Sequence, residues 1–352
     1  MTKCLVTKLN GSVDNNELLR VGEMRIKVES VESPTKHTQG FGIASIKPIT
    51  VEIVGEGYFT DETLTENKGR SMSVSSTQGI IVSQATTVSI RNKYDITALR
   101  IFIPSGIPYG MNKVINIEDL KYSPLLVDLN LSKSQATGDI ASLKNLTTLT
   151  SFIANGTNIS GDIASLKNLT ALRNLNLNAT NLTGDISSLK NLTALSELVI
   201  SDSNISGDIA SLKNLTALRK LTIYNSKVSG DLQNIYFTLK ETDKTLNISL
   251  CDYLFGDLAS LPNNILHINN VRGKSKFTWK KGSTRTNILA CTNIYCSNID
   301  DMLNDMANMS ASFASNEAIS KMISLIGTRT SASDAAVQTL QSKGYTVSIT
   351  PA

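Results

Sequence analysis

The chain has 352 residues, of which 41% are hydrophobic and 18% are charged, a composition that indicates two or three folded domains and excludes a disordered chain or a charge-rich coiled coil. Because no apolar run approaches eighteen residues, the sequence predicts no membrane insertion. Two His, four Cys, a single Trp and a net charge of +4 argue against most metal centres, His-based catalysis, an aromatic sugar platform and nucleic-acid binding.

The first 120 residues alternate between apolar and polar side chains in short segments. The clearest segments are residues 24–28, 49–53, 87–90 and 99–103, and turn residues separate them at 55–57 and 104–106. This pattern predicts an N-terminal all-β domain, either a sandwich or a small barrel, over residues 1–120. The first eight residues contain no apolar segment long enough for a secretory signal, so we expect a protein that is not exported by that route.

The opening of the chain resembles the start of structural proteins in tailed phages that infect Bacteroides, the crAss-like phages. The resemblance covers about 30 residues and lies in Cys4-Leu5-Val6-Thr7-Lys8-Leu9-Asn10-Gly11 and Leu19-Arg20-Val21-Gly22-Glu23. It implies that the N-terminal domain is an anchor that docks on a phage particle.

An internal repeat dominates the next part of the chain. Gly-Asp dipeptides begin at Gly138, Gly161, Gly184, Gly207 and Gly230, spaced by 23 residues, and again at Gly256 after 26 residues. In the unit at 161–183, Leu and Ile recur at 163, 166, 169, 172, 175, 177 and 182. This spacing resembles the leucine-rich repeat, and the Gly-Asp-Ile phrase resembles the form found in surface proteins of gut Bacteroidetes. The resemblance implies a solenoid over residues 121–275.

The spacing within one unit predicts its local structure. Leu175 and Leu177 have the two-residue period of a strand with one buried face, and the three-residue period at 163–172 suits a 3₁₀ turn. Asp162 can cap that turn, and Gly161 can supply a positive-φ bend. One unit cannot bury its own leucines, so we expect stacked units whose strands form a parallel sheet.

One column departs from the leucine-rich-repeat pattern. Where that pattern has Asn, this chain has hydroxyl residues, namely Ser134, Thr157, Thr180, Ser203 and Ser226. A hydroxyl has one donor where an amide has two, so we expect an interior polar ladder with fewer hydrogen bonds per repeat.

Residues 276–352 are expected to hold degenerate repeats and a C-terminal helix-strand cap. Upstream of them, strands are predicted around Leu246, Ile248 and Leu250 and around Ile268. Near the end, residues 323–325, 331–340 and 344–349 indicate a strand, a helix and a strand. Ser331 or Ser333 would cap the helix, and Gly344 would end it.

Residues suited to catalysis are scarce and scattered. His37 and His267 fall in different predicted domains, so no Ser-His-Asp or Cys-His set can be assembled, and each is interpreted as a surface or structural residue. We interpret the cysteines as small buried hydrophobes: Cys4, Cys251, Cys291 and Cys296. The sequence therefore predicts a protein that is not an enzyme and has no metal or cofactor.

Two charged columns follow the repeat. The Asp of each Gly-Asp phrase is interpreted as a helix cap in preference to a calcium ligand, since the phrase typical of Ca²⁺-binding solenoids is absent. The lysines are interpreted as a solvated outer face, with an anion-binding stripe as the alternative: Lys144, Lys167, Lys190 and Lys213.

The side chains that flank each buried Leu pair are predicted to form a concave binding face. They are Asp128, Asn130, Ser132, Ser151, Ile153, Asn155, Asn174, Asn176, Asn178, Glu197, Val199, Ser201, Lys220, Thr222 and Tyr224. Tyr224 is the best candidate for an anchoring contact. The alternative is a spacer surface without a ligand.

Three functions compete. The first is a virion structural protein, assembled in the host cytoplasm, whose β-domain contacts capsid, portal or tail components. Its repeats would then form a decoration, fibre or adhesive module for a host glycan or protein, with a homo-oligomer as one arrangement. The second is a cell-surface or secreted leucine-rich-repeat adhesin, and the third is a substrate-recognition subunit of an enzyme. The sequence favours the first.

Overall fold

The computed structural model describes the strands between residues 23 and 115, residues 116–235 without 133, residues 245–247, residues 250–310 without 252, 266 and 270–274, and residues 321–351. The chain divides into two compact units, Met1–Leu149 with Thr157–Ile159, and Thr150–Gly156 with Ser160–Ala352. No helix in the described ranges has the length and apolar character needed to cross a lipid bilayer. The predicted domain boundaries at residues 120 and 275 stay predictions.

The strands of the first unit form two ladders. They are β1 (Glu23–Glu29), β2 (Thr38–Ser45), β3 (Ile49–Val54), β4 (Tyr58–Thr60), β5 (Glu66–Asn67), β6 (Ser71–Val74), β7 (Gln78–Ser83), β8 (Thr87–Arg91), β9 (Ile96–Phe102), β10 (Asn112–Ile115), β11 (Asp128–Asn130) and β12 (Thr137–Asp139). One antiparallel ladder has the order β10-β1-β8-β3-β6. The other runs β9-β2-β7-β4-β5, and β11 joins it parallel to β9.

The four alternating segments of the sequence fall on β1, β3, β8 and β9. The predicted turns at 55–57 and 104–106, together with His37 and Cys4, lie outside the described residues. The sandwich or small barrel therefore stays a prediction. The finding about this unit is that β9 pairs directly with the first repeat strand, Leu99 standing opposite Leu129.

The second unit carries two parallel ladders made from the same repeats. The first ladder consists of β13 (Ser151–Ile153), β15 (Asn174–Asn176), β17 (Glu197–Val199) and β19 (Lys220–Thr222). The second ladder consists of β14 (Asn158–Asp162), β16 (Asn181–Asp185), β18 (Asn204–Asp208), β20 (Lys227–Asp231), β22 (Tyr253–Asp257) and β24 (Lys276–Thr278). The L-x-L spacing predicts the first ladder, while the second was not predicted.

The C-terminal part continues with longer elements. A parallel ladder follows the order β21 (Thr245–Asn247), β23 (His267–Asn269), β25 (Ala290–Cys296), β26 (Met322–Ile326) and β27 (Thr346–Thr350). Two helices accompany it, α1 (Ile299–Ala307) and α2 (Asp334–Ser342). The predicted strand-helix-strand ending is thus present, and α1 is an additional helix.

A short 3₁₀ turn follows the Gly-Asp phrase in each repeat, as the three-residue period predicts. These turns cover Ile140–Leu143, Ile163–Leu166, Ile186–Leu189, Ile209–Leu212, Leu232–Ile235 and Leu258–Ser260. In the second of them Oδ1 of Asp162 accepts a hydrogen bond from the backbone N–H of Ala164 at 2.8 Å, and Gly161 has a φ of 107°. The predicted cap and positive-φ bend are confirmed. The lysine after the turn, such as Lys167, is exposed.

The repeats bury their leucines completely. The apolar residues of the 161–183 unit have no exposed surface: Ile163, Leu166, Leu169, Leu172, Leu175, Leu177 and Leu182. Burial of one such side chain contributes about 1.5–3 kcal/mol, so the stack of units supplies the stability that a single unit lacks.

The hydroxyl column pairs differently from the expected ladder. Thr180 donates its Oγ1–H to the carbonyl of Leu177 at 2.8 Å, and Ser226 donates to the carbonyl of Ile223 at 2.9 Å. Each bond stays within one repeat and closes the corner after the first-ladder strand. The single donor of each of these two hydroxyls is therefore used within its own repeat.

Two local expectations need correction. Leu250, which the sequence places with a strand, lies in a turn with a φ of 59° and is exposed, because this repeat is three residues longer than the others. Ser333 occupies the N-cap position of the C-terminal helix, as expected, but its hydroxyl donates to Asp300 and forms no capping hydrogen bond. Thr330 caps the preceding 3₁₀ turn, Ser331–Ser333, by accepting a hydrogen bond from the N–H of Ala332. Gly344 ends the helix with a φ of 86°, as predicted.

Candidate functional site

The first ladder presents one row of side chains outward in every repeat. In β15 the middle residue Leu175 is buried, while Asn174 and Asn176 on either side are partly exposed. We call the outward residues of β13–β19 and of the turns that follow the recognition face: Ser151, Ile153, Asn155, Asn174, Asn176, Asn178, Glu197, Val199, Ser201, Lys220, Thr222 and Tyr224. In the first unit, Asp128 and Asn130 flank the buried Leu129 of β11 in the same way.

The recognition face falls into three columns that run across the repeats. Strand pairing puts Ser151, Asn174, Glu197 and Lys220 opposite one another, and likewise Ile153, Asn176, Val199 and Thr222. The third column consists of Asn155, Asn178, Ser201 and Tyr224. Backbone hydrogen bonds of 2.8–3.2 Å connect its repeats: the N–H of Gly156 donates to the carbonyl of Asn178, that of Ala179 to Ser201, and that of Asp202 to Tyr224. The geometry therefore brings the predicted residues of this unit together.

Sequence variation among the repeats is concentrated on this face. The twelve residues that begin with each Gly-Asp phrase, 138–149, 161–172, 184–195 and 207–218, are identical in all four copies at all but two positions. The first two columns of the recognition face, in contrast, hold a different residue in every repeat. The segment that holds the Gly-Asp phrase and the 3₁₀ turn is thus repeated almost unchanged, whereas the first two outward columns differ from repeat to repeat.

Charged and hydrogen-bonded pairs cross the face between neighbouring repeats. Nζ of Lys220 lies 2.6 Å from Oε1 of Glu197, which stands opposite it in the ladder. Both side chains are well exposed, so this ion pair contributes at most about 1 kcal/mol and can exchange partners easily. The Asn225 amide donates to Oδ1 of Asp202 at 2.6 Å.

Tyr224 stands at one end of the third column. Partial burial, together with its hydrogen bond to Asp202 and the negative charge of that carboxylate, raises the pKa of the Tyr224 phenol above its ordinary value. The phenol therefore remains protonated and neutral at physiological pH. It presents a partly exposed ring that is held in place at its hydroxyl end, as an anchoring contact requires.

Two predicted face residues are more deeply buried than expected. Val199 is 7% exposed and Ser201 is fully buried. Within the described part of the chain, the Ser201 hydroxyl and Oδ1 of Asn178 are buried and lack a hydrogen-bond partner. An unpaired buried polar atom costs about 1–3 kcal/mol, so these two atoms lower the stability of the third column.

The C-terminal ladder contains His267, on the strand that the sequence predicts around Ile268. His267 at the start of β23 is buried, and its Nε2 lies 3.0 Å from Oγ1 of Thr292 on β25. The L-x-I pattern around Ile268 indicates this strand, and His267 lies within it. The arrangement confirms that His267 is a structural residue.

Burial lowers the pKa of His267 below its ordinary value of 6.5. The unfolded chain therefore binds more protons than the folded chain below about pH 6.5, so acidification lowers the free energy of unfolding. We expect the thermal midpoint to fall between pH 7 and pH 5, and to fall less in the variant His267→Gln. Thermal melts across this range, with His37→Gln as the matched control, test this; an equal slope in His267→Gln and the parent chain would contradict it.

The described cysteines are unsuited to nucleophilic chemistry. Cys251, Cys291 and Cys296 are buried as free thiols. Burial raises the pKa of Cys291 strongly and that of Cys296 to about 11, so both remain protonated. Among the described residues, no cluster of three or more His, Cys, Asp or Glu side chains could hold a metal ion.

Comparison with known proteins agrees with this geometry. No protein-family description matches the chain, and no curated protein matches it. Among solved structures, the complex PEPR1–AtPEP1 covers 73% of the chain with a TM-score of 0.52 and 16% identity, and the chain spans only 35% of that protein. Internalin inlF of Listeria monocytogenes covers 68% of the chain, and the chain spans 82% of it, with a TM-score of 0.40 and 23% identity.

The first of these likenesses concerns the fold alone, and it is to a plant receptor built from leucine-rich repeats. In this chain a repeat consists of a strand with a buried Leu, a corner, and a 3₁₀ turn capped by Asp. The repeat region of this chain is a leucine-rich-repeat solenoid.

Proposed function

We propose that this chain is a non-enzymatic recognition protein that binds a protein or peptide partner on the recognition face. The observation that carries the proposal is the contrast between the near-identical segments that begin with each Gly-Asp phrase and the first two columns of the recognition face, which hold a different residue in every repeat. Packing alone would allow the outward positions to repeat as well, since they do not enter the core. A surface that reads a partner needs a different side chain at each point of contact.

The chemistry of the face favours a polypeptide partner. Amides, hydroxyls and one exchangeable Lys220–Glu197 pair offer both donors and acceptors along the strands. Apolar contact is limited to Ile153, the edge of Val199 and the ring of Tyr224. Such a surface suits an extended segment whose backbone and side chains both form hydrogen bonds, with Tyr224 as the main apolar anchor.

We expect Tyr224→Ala to weaken binding on this face about tenfold or more. The change removes the anchoring ring and also frees Asp202 from its tyrosine hydrogen bond. The measurement is the dissociation constant of peptides selected from a displayed random library on the immobilised full chain. Tyr224→Phe separates the ring from the hydroxyl, and Ser165→Ala, on a 3₁₀ turn, is the matched control. Unchanged affinity in Tyr224→Ala, with an unchanged melting temperature, would count against this face.

We further propose that the chain acts as a virion structural protein of a tailed phage, with the repeats as a decoration, fibre or adhesive module. The support is the resemblance of residues 4–23 to structural proteins of Bacteroides phages. Repeated display on one particle would turn weak contacts into avid binding. Mass spectrometry of purified particles tests this. A defined stoichiometry to the capsid protein is expected, and recovery of the chain only from the bacterial envelope would identify an adhesin instead.

A further inference from the structure

The last described strand has a neighbour on one side only. β27 pairs with β26 in parallel, and in the described ranges no strand pairs with its other edge. The first repeat strand, β11, in contrast pairs with β9 of the N-terminal segment. An unpaired edge exposes backbone N–H and C=O groups that can bind a further strand, so the free edge of β27 is a candidate interaction surface.

Alternate residues of β27 direct their backbone groups to this free edge. The N–H of Thr346 donates to the carbonyl of Lys321, just before β26, at 2.9 Å. In a parallel pair, residues that bond to the neighbouring strand alternate with residues whose N–H and C=O groups point away from it. The groups of Val347 and Ile349 therefore point to the free edge.

The apolar side chains of this strand are also incompletely covered. The register pairs Val347 with Ile323 and Ile349 with Leu325 of β26. The two β26 side chains are fully buried, whereas Val347 and Ile349 are only half-buried. A further strand at the free edge would give both side chains a neighbour on their open side and complete their burial.

β27 lacks the features by which proteins protect such edges. Charged side chains, a proline or a bulge within the strand normally prevent pairing with another chain. Residues 335–351 include one charged residue, Lys343, and its Nζ donates to the carbonyls of Ala307 and Met309 at 2.6 Å. Pro351 follows the strand and does not interrupt it. The free edge is thus uncharged and rich in β-branched residues, which suits pairing with another uncharged strand.

The side chains of β27 are complementary to those of a second copy. In an antiparallel pair centred on Ser348, Thr346 stands opposite Thr350 of the copy, and Val347 stands opposite its Ile349. Pairs of threonines and pairs of β-branched residues stabilise neighbouring strands. Ser348 meets the same residue of the copy, so no charge meets a like charge anywhere along the pair.

The backbone groups favour the same register. In the pair centred on Ser348, Val347 exchanges both of its hydrogen bonds with Ile349 of the copy, so all groups that these residues direct to the free edge are paired. A register shifted toward either end leaves a carbonyl of Val347 or Ile349 unpaired. The reason is that the N–H of Tyr345 already donates to the carbonyl of Leu340, and a proline at position 351 has no N–H.

We propose that two copies of this chain associate through β27, whose strands form an antiparallel pair around a twofold axis at Ser348. Side chains, charge and hydrogen bonding are all matched by the strand itself, as an isologous contact requires. Two strands of five residues bury less than the roughly 800 Å² per partner of a standard stable interface, so the dimer is reversible and its affinity is micromolar or weaker. This contact is independent of ligand binding on the recognition face.

Sedimentation equilibrium of the full chain over a wide range of concentration tests the dimer. We expect a monomer–dimer equilibrium that saturates at two copies. Ser348→Lys places two like charges opposite each other on the axis and should raise the dissociation constant at least about tenfold. Thr346→Lys is the matched control, because its lysine stands opposite Thr350 of the copy, and its effect should be much smaller. Both positions are exposed, so both variants should keep the melting temperature of the parent chain.

A mixture of Ser348→Lys and Ser348→Glu chains tests the register. Opposite charges then meet on the twofold axis, so the mixed pair should form at least as tightly as the parent dimer, while each variant alone dimerises weakly. Sedimentation of the two variants, separately and mixed in equal amounts, measures this difference.

Three results would overturn the proposal. A parent chain that remains a monomer at every concentration would show that the edge of β27 does not bind a second copy. Equal effects of Ser348→Lys and Thr346→Lys, or a charge-swapped mixture that dimerises no better than its components, would exclude the pair centred on Ser348. Assemblies that keep growing with concentration would indicate head-to-tail stacking in place of a closed pair.

Discussion

Leu175→Asp is expected to lower the free energy of unfolding by about 3–5 kcal/mol, because it buries a carboxylate that has no partner. Leu175 has no exposed surface and stands between Phe152 and Leu198 of the neighbouring strands, so an Asp side chain at this position cannot reach water. Denaturant unfolding followed by circular dichroism measures the change.

The matched control introduces the same carboxylate one residue earlier in the strand. Asn174→Asp puts a carboxylate on the partly exposed side of the same strand, where it keeps the oxygen that accepts from the Ser196 hydroxyl. Its effect should stay within about 0.5 kcal/mol. Similar losses of unfolding free energy in the two variants would contradict the assignment of Leu175 to the buried side of β15 and of Asn174 to its outward side.

This strand could be predicted from the sequence because its side-chain pattern repeats. A strand of three residues with one buried Leu is too short for a periodicity argument, but consecutive copies at 23-residue spacing show which residues are constant. The same copies predict the 3₁₀ turn and its Asp cap. The second ladder was missed because its strands contain one buried residue followed by Ser-Gly-Asp or Thr-Gly-Asp, which reads as a turn.

The C-terminal helix α1 was missed although its signal was present. Its buried residues Ile299, Met302, Leu303 and Met306 have helical spacing, and Asp300 and Asp301 occupy its first turn.

The columns of the recognition face could be predicted from strand alternation. The burial of Val199 and Ser201 could not, since strand alternation places both on the outward side. The strained turn at Leu250 follows from an insertion whose position within the repeat the sequence leaves open.

The Gly-Asp phrase has a second role that only the structure shows. The Asp of one repeat lies against the Gly of the next: a Cβ added to Gly184 would overlap Oδ1 of Asp162, and one added to Gly207 would overlap Oδ1 of Asp185. The same Asp oxygen caps the 3₁₀ turn of its own repeat. Glycine is therefore required for two independent reasons, its positive φ and the carboxylate of the preceding repeat.

Gly184→Ala is accordingly expected to cost about 2–4 kcal/mol of unfolding free energy. The φ of 104° is strained for any residue with a Cβ, and the methyl group must also displace the Asp162 carboxylate from its capping position. Gly282→Ala is the control for backbone strain alone, since Gly282 has a φ of 82° and no atom within 4 Å of the added Cβ.

The contribution of the carboxylate can be isolated by a double-mutant cycle with Asp162→Ala. Each single change disturbs the hydrogen bond by which Asp162 caps its 3₁₀ turn, and the double variant loses that bond only once. The double variant also lacks the Asp162 oxygen that the added methyl group would overlap. The two substitutions together should therefore cost about 1–2 kcal/mol less than the sum of the single changes. Additive losses, or a loss in Gly184→Ala no larger than that in Gly282→Ala, would show that the Asp column and the Gly column act independently. The coupling predicted here would make each Gly-Asp phrase a contact between repeats as well as a turn within one.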